Sequence, residues 1–442
     1  MTPTTPPTTP DAVLTRRRLL RIAGAGALTV GAGGVLAACG GSSSSGVKAA
    51  ATVAGVKTGK VHNLVLLSNE WNTVMTDAAQ RTAKILGLEY SESNFNLDET
   101  VALDQAESAI AAGAQMIVIQ GADGSGIPQL GRLCESKGVF LSNMNATAPW
   151  YSPIDAGSHF TWFFTQADWT GFYESTKLAL KTAVDANGGK ATVLHVAGLP
   201  GSGIDAIRTA AVKRAVADTP GATLKGSLPS DWSAEGGQKV TEDLISRYGL
   251  PNAIVSQNDG QLTGVLAALR GQGKEPGKDV VVCGCDGATD ILKEVDAGGV
   301  TSTSFSSPAY FGVGSVVRVF DAFNGYQAKP TERQMAFNGV TVTKDNAAAL
   351  IKRYVDSDAL PFDPTLMSRT TAKGKWDPQV QLTSLDVDAY FADTGAKRPA
   401  GYKAPAAYAK AEASGQAKAV DAEYAKAYRT KLDDGTFKGV ST

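Results

Sequence analysis

The chain has 442 residues, of which 43% are hydrophobic and 19% charged, and its formal net charge is −1. This length predicts two or three domains, and the composition is that of a soluble globular protein. The balanced charge gives no sign of a nucleic-acid-binding surface. Because only 3 histidines are present, we expect no His-rich metal site, and we predict no cofactor.

The first 38 residues have the pattern of an export signal. A basic segment at 15–21 carries a twin-arginine pattern, and an apolar, Ala/Gly-rich stretch follows at 22–38. This stretch ends in Leu-Ala-Ala-Cys, which is typical of a lipoprotein box and predicts Cys39 as the lipidated first residue of the mature chain. A transmembrane helix is the alternative, but about 17 Gly-rich residues are few for spanning a bilayer. Residues 39–60 are then predicted to be a lipid-anchored, flexible tether.

Strands and helices alternate from residue 61 onwards. We predict strands at 61–67, 89–91, 115–120 and 138–143, and helices at 74–86, 101–112 and 127–136. This alternation indicates a parallel, doubly wound sheet. Asn69 and Trp71 follow the first strand, and Gln120 and Asn143 end the third and fourth.

The same alternation begins again after a predicted helix at 169–186. We predict strands at 191–196, 223–227, 253–256 and 280–283, and helices at 204–217, 236–247, 264–270 and 288–295. Asn258 and Asp286 follow the last two of these strands. Ligands of open parallel sheets bind at the carboxyl ends of strands, so both side chains are candidates for binding something small and polar. Two such lobes, with their strand ends facing each other, would hold a ligand in the cleft between them.

Several of these segments together resemble a known family. They are Gln257-Asn258-Asp259 before a helix, Gly284-Cys285-Asp286-Gly287 after a strand, Asp231-Trp232 before a helix, and Arg208 in the first helix of the second lobe. In this pattern the chain resembles the type I periplasmic binding proteins, in the ribose-binding-like branch that serves ABC sugar importers. The likeness covers residues 61–345, and 340–346 is similar to the last strand of that family.

The resemblance implies two doubly wound parallel-sheet α/β lobes joined by a hinge. The chain would cross between the lobes near 166–168, 306–308 and 338–339. The N-terminal lobe would comprise 61–166 plus 307–337, and the C-terminal lobe 167–306 plus 338–345. Residues 346–442 do not fit the family pattern, and their composition predicts a mainly helical C-terminal extension that wraps one or both lobes. In it we expect helices at 347–357, 384–392 and 406–432, with a loop at 361–378.

The resemblance also implies the ligand-binding residues. They are Asn69, Trp71, Gln120 and Asn143 in the first lobe, Arg208, Trp232, Asn258 and Asp286 in the second, and Ser306 in the hinge. The family commonly has Asp at the position of Asn143 and often Gln at that of Ser306, so these two departures leave the particular sugar open.

The chemistry of these side chains suits a sugar or polyol. Asp286 can accept hydrogen bonds from two neighbouring hydroxyls, while Arg208 donates in a fixed fork. Trp71 and Trp232 can cover the C–H faces of the ligand. Each has a structural alternative: Asp286 could cap the helix that follows it, Arg208 could be a solvated helix residue, and Trp232 could serve in packing.

By this resemblance the chain is a receptor and not an enzyme. It would be a monomer, lipid-anchored on the extracytoplasmic face of the membrane, that passes a sugar or polyol to an ABC permease. A receptor that presents its ligand to a membrane signalling protein is the alternative. An enzyme would need a nucleophile–base pair or a metal cluster, and neither is evident in the sequence. A sugar-responsive repressor would need a DNA-binding helix pair where this chain has its export signal.

Overall fold

The computed structural model describes residues 55–166 and 168–441. The predicted export signal, Cys39 and the tether as far as residue 54 lie outside the described residues. The last part of the tether packs on the first lobe, because Lys57 N donates to Asn324 Oδ1 at 2.7 Å. No helix in the described part of the chain has both the length and the apolar character needed to cross a bilayer.

Thirteen strands are present in the described residues. In chain order they are β1 (Lys60–Val65), β2 (Glu89–Asn94), β3 (Met116–Gln120), β4 (Phe140–Met144), β5 (Phe160–Gln166), β6 (Ala191–Ala197), β7 (Ala222–Pro229), β8 (Ala253–Ser256), β9 (Val281–Asp286), β10 (Ser302–Phe305), β11 (Gln334–Asn338), β12 (Val340–Val342) and β13 (Gln381–Ser384).

The helices alternate with these strands up to β11. They are α1 (Glu70–Leu86), α2 (Glu99–Ala111), α3 (Ile127–Lys137), α4 (Pro153–Ala156), α5 (Asp168–Ala186), α6 (Gly203–Ala217), α7 (Ala234–Tyr248), α8 (Asp259–Gly271), α9 (Thr289–Ala297), α10 (Pro308–Phe323), α11 (Ala347–Tyr354), α12 (Pro364–Met367), α13 (Val387–Asp393), α14 (Ala406–Ala413) and α15 (Gln416–Ala427).

The strands form two sheets, one in each lobe. The first has the order β13-β11-β5-β4-β3-β1-β2 and the second β12-β10-β9-β8-β6-β7. All pairings are parallel except the antiparallel ones of β13 with β11 and of β12 with β10. The predicted fold class, two parallel-sheet α/β lobes with a largely helical extension, is therefore confirmed.

The chain passes between the sheets three times. The chain first leaves the first lobe after β5, and the next helix, α5, packs on β9 and β10 of the second lobe. After β10 the chain returns, and α10 packs on α1 and β4. β11 joins the first sheet and β12 the second, with Gly339 between them. A Cβ at Gly339 would lie 2.1 Å from Phe305 O, so only glycine allows this close approach to β10.

Some elements differ from the sequence-based prediction. Strands β5, β10, β11 and β13 were not predicted, because none of them carries the apolar–polar alternation that identifies a strand in sequence. Helices α1, α7 and α8 begin two to five residues earlier than expected, since polar caps and first turns dilute the apolar periodicity there. The single helix expected at 406–432 is divided at Gly415, whose φ of +76° interrupts it.

The C-terminal extension contacts both lobes, as expected. Its strand β13 pairs with β11 of the first sheet, and α15 covers β13. Its helix α11 lies against α9 of the second lobe, and the ring of Tyr354 is 4.8 Å from that of Phe305.

A buried ionic cluster fastens the extension to the first lobe. Glu332 accepts from Arg318 Nη1 at 3.1 Å and from the hydroxyl of Tyr424 at 2.6 Å. Arg369 lies 3.4 Å from the same carboxylate and stacks over Trp376. Glu332 is 1% exposed and Tyr424 is equally buried. The extension is thus part of the first lobe's core.

Candidate ligand-binding site

Arg208 is the most highly connected of the predicted site residues. It lies on α6 and is only 2% exposed, so it is not a solvated helix residue. Its Nε donates to Asp168 Oδ1 at 2.8 Å, its Nη2 donates to Asp286 Oδ1 at 2.9 Å, and its Nη1 donates to Gln257 O. The guanidinium is therefore held by three elements, at the ends of β8 and β9 and at the start of α5.

Asp286 ends β9 with its carboxylate partly open to solvent. Its side chain is 18% exposed, and its φ of +109° lies in a region that few residues other than glycine adopt. Arg208 holds Oδ1, and no described residue donates a hydrogen bond to Oδ2. An accessible, oriented carboxylate oxygen is suited to accept hydrogen bonds from hydroxyl groups.

The helix-cap alternative for Asp286 is not what the structure shows. Helix α9 follows Ala288, which provides no side-chain cap. The amides of Gly287 and Ala288 donate instead to Asp259 Oδ2, at 2.8 and 2.9 Å. Because the fully buried Asp259 accepts both of these amide hydrogens, Asp286 is free for another contact.

The acidic groups around Arg208 are strongly perturbed. Burial, and then repulsion from Asp286, raises the pKa of Asp259 to about 8. Burial also raises the pKa of Asp168, although Arg208 opposes this. Burial alone would lower the pKa of Arg208, but the carboxylates of Asp286 and Asp168 hold it well above its ordinary value, so the guanidinium stays charged. The site therefore presents a fixed cation between the carboxylates of Asp168 and Asp286.

Trp232 covers the end of β6. Its backbone is left-handed, with φ of +67°, and its side chain is half-buried. The ring lies so close to Gly198 that a Cβ there would be 2.0 Å from Cη2. The backbone carbonyl of Trp232 accepts from Asn258 Nδ2 at 3.3 Å, which links this loop to the end of β8.

Asn69 and Asn258 occupy equivalent places in the two lobes. Each caps the helix that follows the strand, because Asn69 Oδ1 accepts from Asn72 N and Asn258 Oδ1 from Gln261 N, both at 2.8 Å. Capping uses the carbonyl oxygen and leaves amide hydrogens for another acceptor. Two residues after Asn69, Trp71 is half-buried, and its ring meets that of Phe311 edge-on at 5.1 Å.

Gln120 and Asn143 lie at the ends of the neighbouring strands β3 and β4, where Asn143 pairs with Ile119. Asn143 is fully buried; its Oδ1 accepts from Gly121 N at 3.1 Å and its Nδ2 donates to Ala146 O at 2.8 Å. In this arrangement Asn143 joins two loops and does not face the cleft as a free amide. Gln120 is 9% exposed, and its Oε1 has no hydrogen-bond partner among the described residues.

Ser306 lies in the second crossing and contacts the first one. Its Oγ donates to Gln166 Oε1 at the end of β5. Both side chains are buried, so Ser306 has the surroundings of a hinge residue.

The predicted residues thus fall into three groups. Arg208, Asp286, Asn258 and Trp232 gather at the strand ends of the second lobe; Asn69, Trp71, Gln120 and Asn143 lie at those of the first; and Ser306 lies in the hinge. Sequence reasoning missed Asp168, Gln257 and Asp259 as supports of Arg208 and Asp286. The available signal for all three was a polar residue within three positions of the end of a strand.

Among residues 55–166 and 168–441, no group of three or more His, Cys, Asp or Glu side chains could hold a metal ion. Two parallel-sheet lobes, three crossings and polar side chains at the strand ends of both lobes define the class of two-lobed, hinged binding proteins.

Comparison with known proteins assigns the family. Residues 64–325 match the family model described as a periplasmic binding protein domain, so the chain belongs to the periplasmic binding protein family. It is 24% identical to the ribose import binding protein of Haemophilus influenzae, over 57% of this chain and 80% of that one. It is also 24% identical to the xylitol-binding protein of Mycolicibacterium smegmatis, over 76% and 88%.

The fold matches solved structures as well. One is the periplasmic binding protein component of the arabinose ABC transporter from Shewanella sp. ANA-3, bound to L-arabinofuranose. The TM-score is 0.57 at 21% identity, and the match covers 68% of this chain and 96% of that one. The predicted resemblance to this family is confirmed, and the family model does not extend to the C-terminal extension.

Proposed function

We propose that this chain is an extracytoplasmic receptor that binds a monosaccharide or polyol between its lobes and delivers it to an ABC permease. The observation that carries the proposal is the Arg208–Asp286 pair, with Asp286 Oδ2 accessible at the end of β9. A fixed carboxylate beside a fixed guanidinium matches adjacent hydroxyls, which can donate to the first and accept from the second.

Binding in this proposal closes the hinge. The first-lobe residues Asn69, Trp71 and Gln120 would then meet the ligand from one side, and Trp232 and Asn258 from the other. Closure excludes water, so a missing ligand hydroxyl leaves a buried polar group unpaired and is strongly discriminated against. The relatives named for ribose, xylitol and L-arabinofuranose support a ligand of this class.

We propose binding without covalent chemistry. His195 is buried between Ser227 and Gln257, and burial lowers its pKa to about 3, which makes it a poor base at neutral pH. Burial raises the pKa of the Cys134 and Cys283 thiols to about 12, so neither supplies a thiolate.

We further propose that Cys39 carries the lipid anchor. The support lies in the sequence: a basic segment, an apolar stretch and a Leu-Ala-Ala-Cys ending. A tethered receptor would stay near the permease on the extracytoplasmic face of the membrane. The permease itself is proposed from the family alone, as is the monomeric state.

A thermal-shift and calorimetric screen of the full-length chain tests the proposal. The panel contains D-ribose, L-arabinose, D-allose, xylitol and myo-inositol, with a nucleoside and a dipeptide as controls. A ligand that binds only the folded form raises the melting temperature. A rise with one sugar or polyol is expected. A rise with the nucleoside or dipeptide alone would keep the two-lobed receptor and discard the sugar.

A further inference from the structure

The helix α13 of the C-terminal extension lies against the first lobe beside the ends of β4 and β5. Trp150 Nε1 donates to Asp388 Oδ1 at 2.6 Å, and the rings of Trp150 and Phe391 are 5.2 Å apart. The ring of Tyr390 meets that of Phe163 on β5 at 6.1 Å. Aromatic packing on two sides fixes the position of α13 on this lobe.

The other end of α13 reaches the second lobe. Thr394 follows the helix, and its side chain lies 3.4 Å from where a Cβ on Gly203 would stand. Gly203 begins α6, the helix that carries Arg208. The extension therefore contacts both lobes along the edge of the cleft next to the Arg208 site.

Tyr390 points from α13 toward this site. Its hydroxyl donates to Asn145 O at 3.1 Å, in the loop that follows β4. Burial, and then the nearby carboxylate of Asp168, raises the pKa of Tyr390 well above its ordinary value. The phenol is thus protonated and lies close to the residue that holds Arg208. The Thr165 side chain also lies within hydrogen-bonding reach of this hydroxyl, whose oxygen has a second lone pair that can accept from another group.

Buried polar atoms without partners lie on residues that contact Tyr390 or Arg208. They are Asp168 Oδ2, Asn145 Oδ1 and Gln257 Oε1, none of which has a hydrogen-bond partner in the described part of the chain. Asp168 and Asn145 are each 4% exposed, and Gln257 is fully buried. Buried polar atoms are rarely left unpaired, so this cluster is suited to a polar ligand.

We propose that Tyr390 is a specificity-determining residue of the ligand site, supplied by the C-terminal extension. Its ring forms a side wall of the cleft, and its oxygen accepts a hydrogen bond from one ligand hydroxyl near Asp168. The inference rests on the proposed sugar-binding function and extends the site beyond residues 64–325.

The test pairs one side-chain oxygen with one ligand hydroxyl. The tightest sugar or polyol of the panel and its mono-deoxy derivatives are titrated into the full-length chain, into Tyr390→Phe and into Tyr408→Phe. Tyr408 is a matched control, because it is a buried extension tyrosine whose hydroxyl contacts Glu412 Oε1 at 2.7 Å and Leu385 O at 3.1 Å. Melting temperatures of all three proteins check folding.

We expect Tyr390→Phe to bind the parent sugar about tenfold more weakly than the wild-type chain does, and to bind one deoxy derivative with unchanged affinity. The preference for the parent sugar over that derivative should therefore fall about tenfold. Tyr408→Phe should keep every ratio. If Tyr390→Phe weakens all ligands by the same factor, Tyr390 only anchors the loop at Asn145 and the inference is overturned. Unchanged affinities overturn it as well, while the proposed function stands. If no panel member binds the wild-type chain, both fall together.

Discussion

Arg208 Nη2 donates to Asp286 Oδ1 at 2.9 Å, which ties the middle of α6 to the end of β9. The same guanidinium lies 2.7 Å from Asp168 Oδ1. Arg208 therefore orients Asp286. If Asp286 is replaced, Arg208 still pairs with Asp168. This arrangement separates the binding role of Asp286 from the stability of the lobe.

Asp286→Asn should weaken sugar binding about 100-fold while the protein stays folded. The substitution keeps the shape of the side chain but removes a charge-assisted hydrogen bond to ligand hydroxyls, which contributes about 2–3 kcal/mol. Calorimetry with the best sugar measures the loss. Asp290→Asn on the exposed surface of α9 is the control. An affinity within twofold of wild type would remove Asp286 from the site.

Gly198→Ala should displace Trp232. The new Cβ would lie 2.0 Å from Cη2 of the ring and 2.7 Å from Gln257 Oε1, so the indole must move. Because the ring is expected to cover one face of the ligand, we expect about tenfold weaker binding and a changed tryptophan emission spectrum. Gly271→Ala serves as the control, since a Cβ there meets no atom within 4 Å. Equal binding by both variants would contradict a ligand-facing Trp232.

Protonation of Glu332 in acid should weaken the attachment of the C-terminal extension to the first lobe. Burial alone would raise the pKa of Glu332, but Arg318, Tyr424 and Arg369 outweigh it and lower the pKa to about 2, from an ordinary 4.5. Between these pH values the unfolded chain binds more protons than the folded one. The stabilisation from Glu332, about 3 kcal/mol, is thus complete above pH 4.5 and is lost as the pH falls toward 2.

Urea unfolding at pH 6, 4 and 3 measures this dependence. In Glu332→Gln the protein should be less stable at pH 6, because Arg318 loses its buried partner, and its stability should fall less steeply in acid. Glu423→Gln is a more exposed comparison from the same cluster. If the free energy of unfolding depends on pH in the same way for wild type and Glu332→Gln, Glu332 is not the group responsible for the loss of stability in acid.

Removal of residues 346–442 should prevent stable folding. The truncation exposes the edge of β11 that pairs with β13, and it leaves Arg318 and Glu332 without Tyr424. An exposed strand edge also favours aggregation. Solubility and far-UV circular dichroism of the truncated chain measure the effect. A soluble protein with the wild-type melting temperature would make the extension a separate appendage.

Much of the site could be located from the sequence because its residues follow predictable strands. Asn258 and Asp286 lie at the ends of apolar strands, and parallel strands end at a common edge. The role of Asn143 could not be predicted, since its partners Gly121 N and Ala146 O depend on how two loops meet. Asp168 was missed because β5 before it, which is buried along its whole length, was not recognised as a strand.

The alternation of apolar strands with amphipathic helices is a local property, so the sequence by itself determined the two-lobed α/β plan and the strand ends at which we propose that a ligand binds. Only the tertiary structure decided that Arg208 is paired with Asp168, 40 residues before it, and Asp286, 78 residues after it. It likewise placed Tyr390 of the extension beside Asn145, 245 residues away. Such pairings depend on sheet order and on the packing of distant elements, which no local pattern of residues encodes.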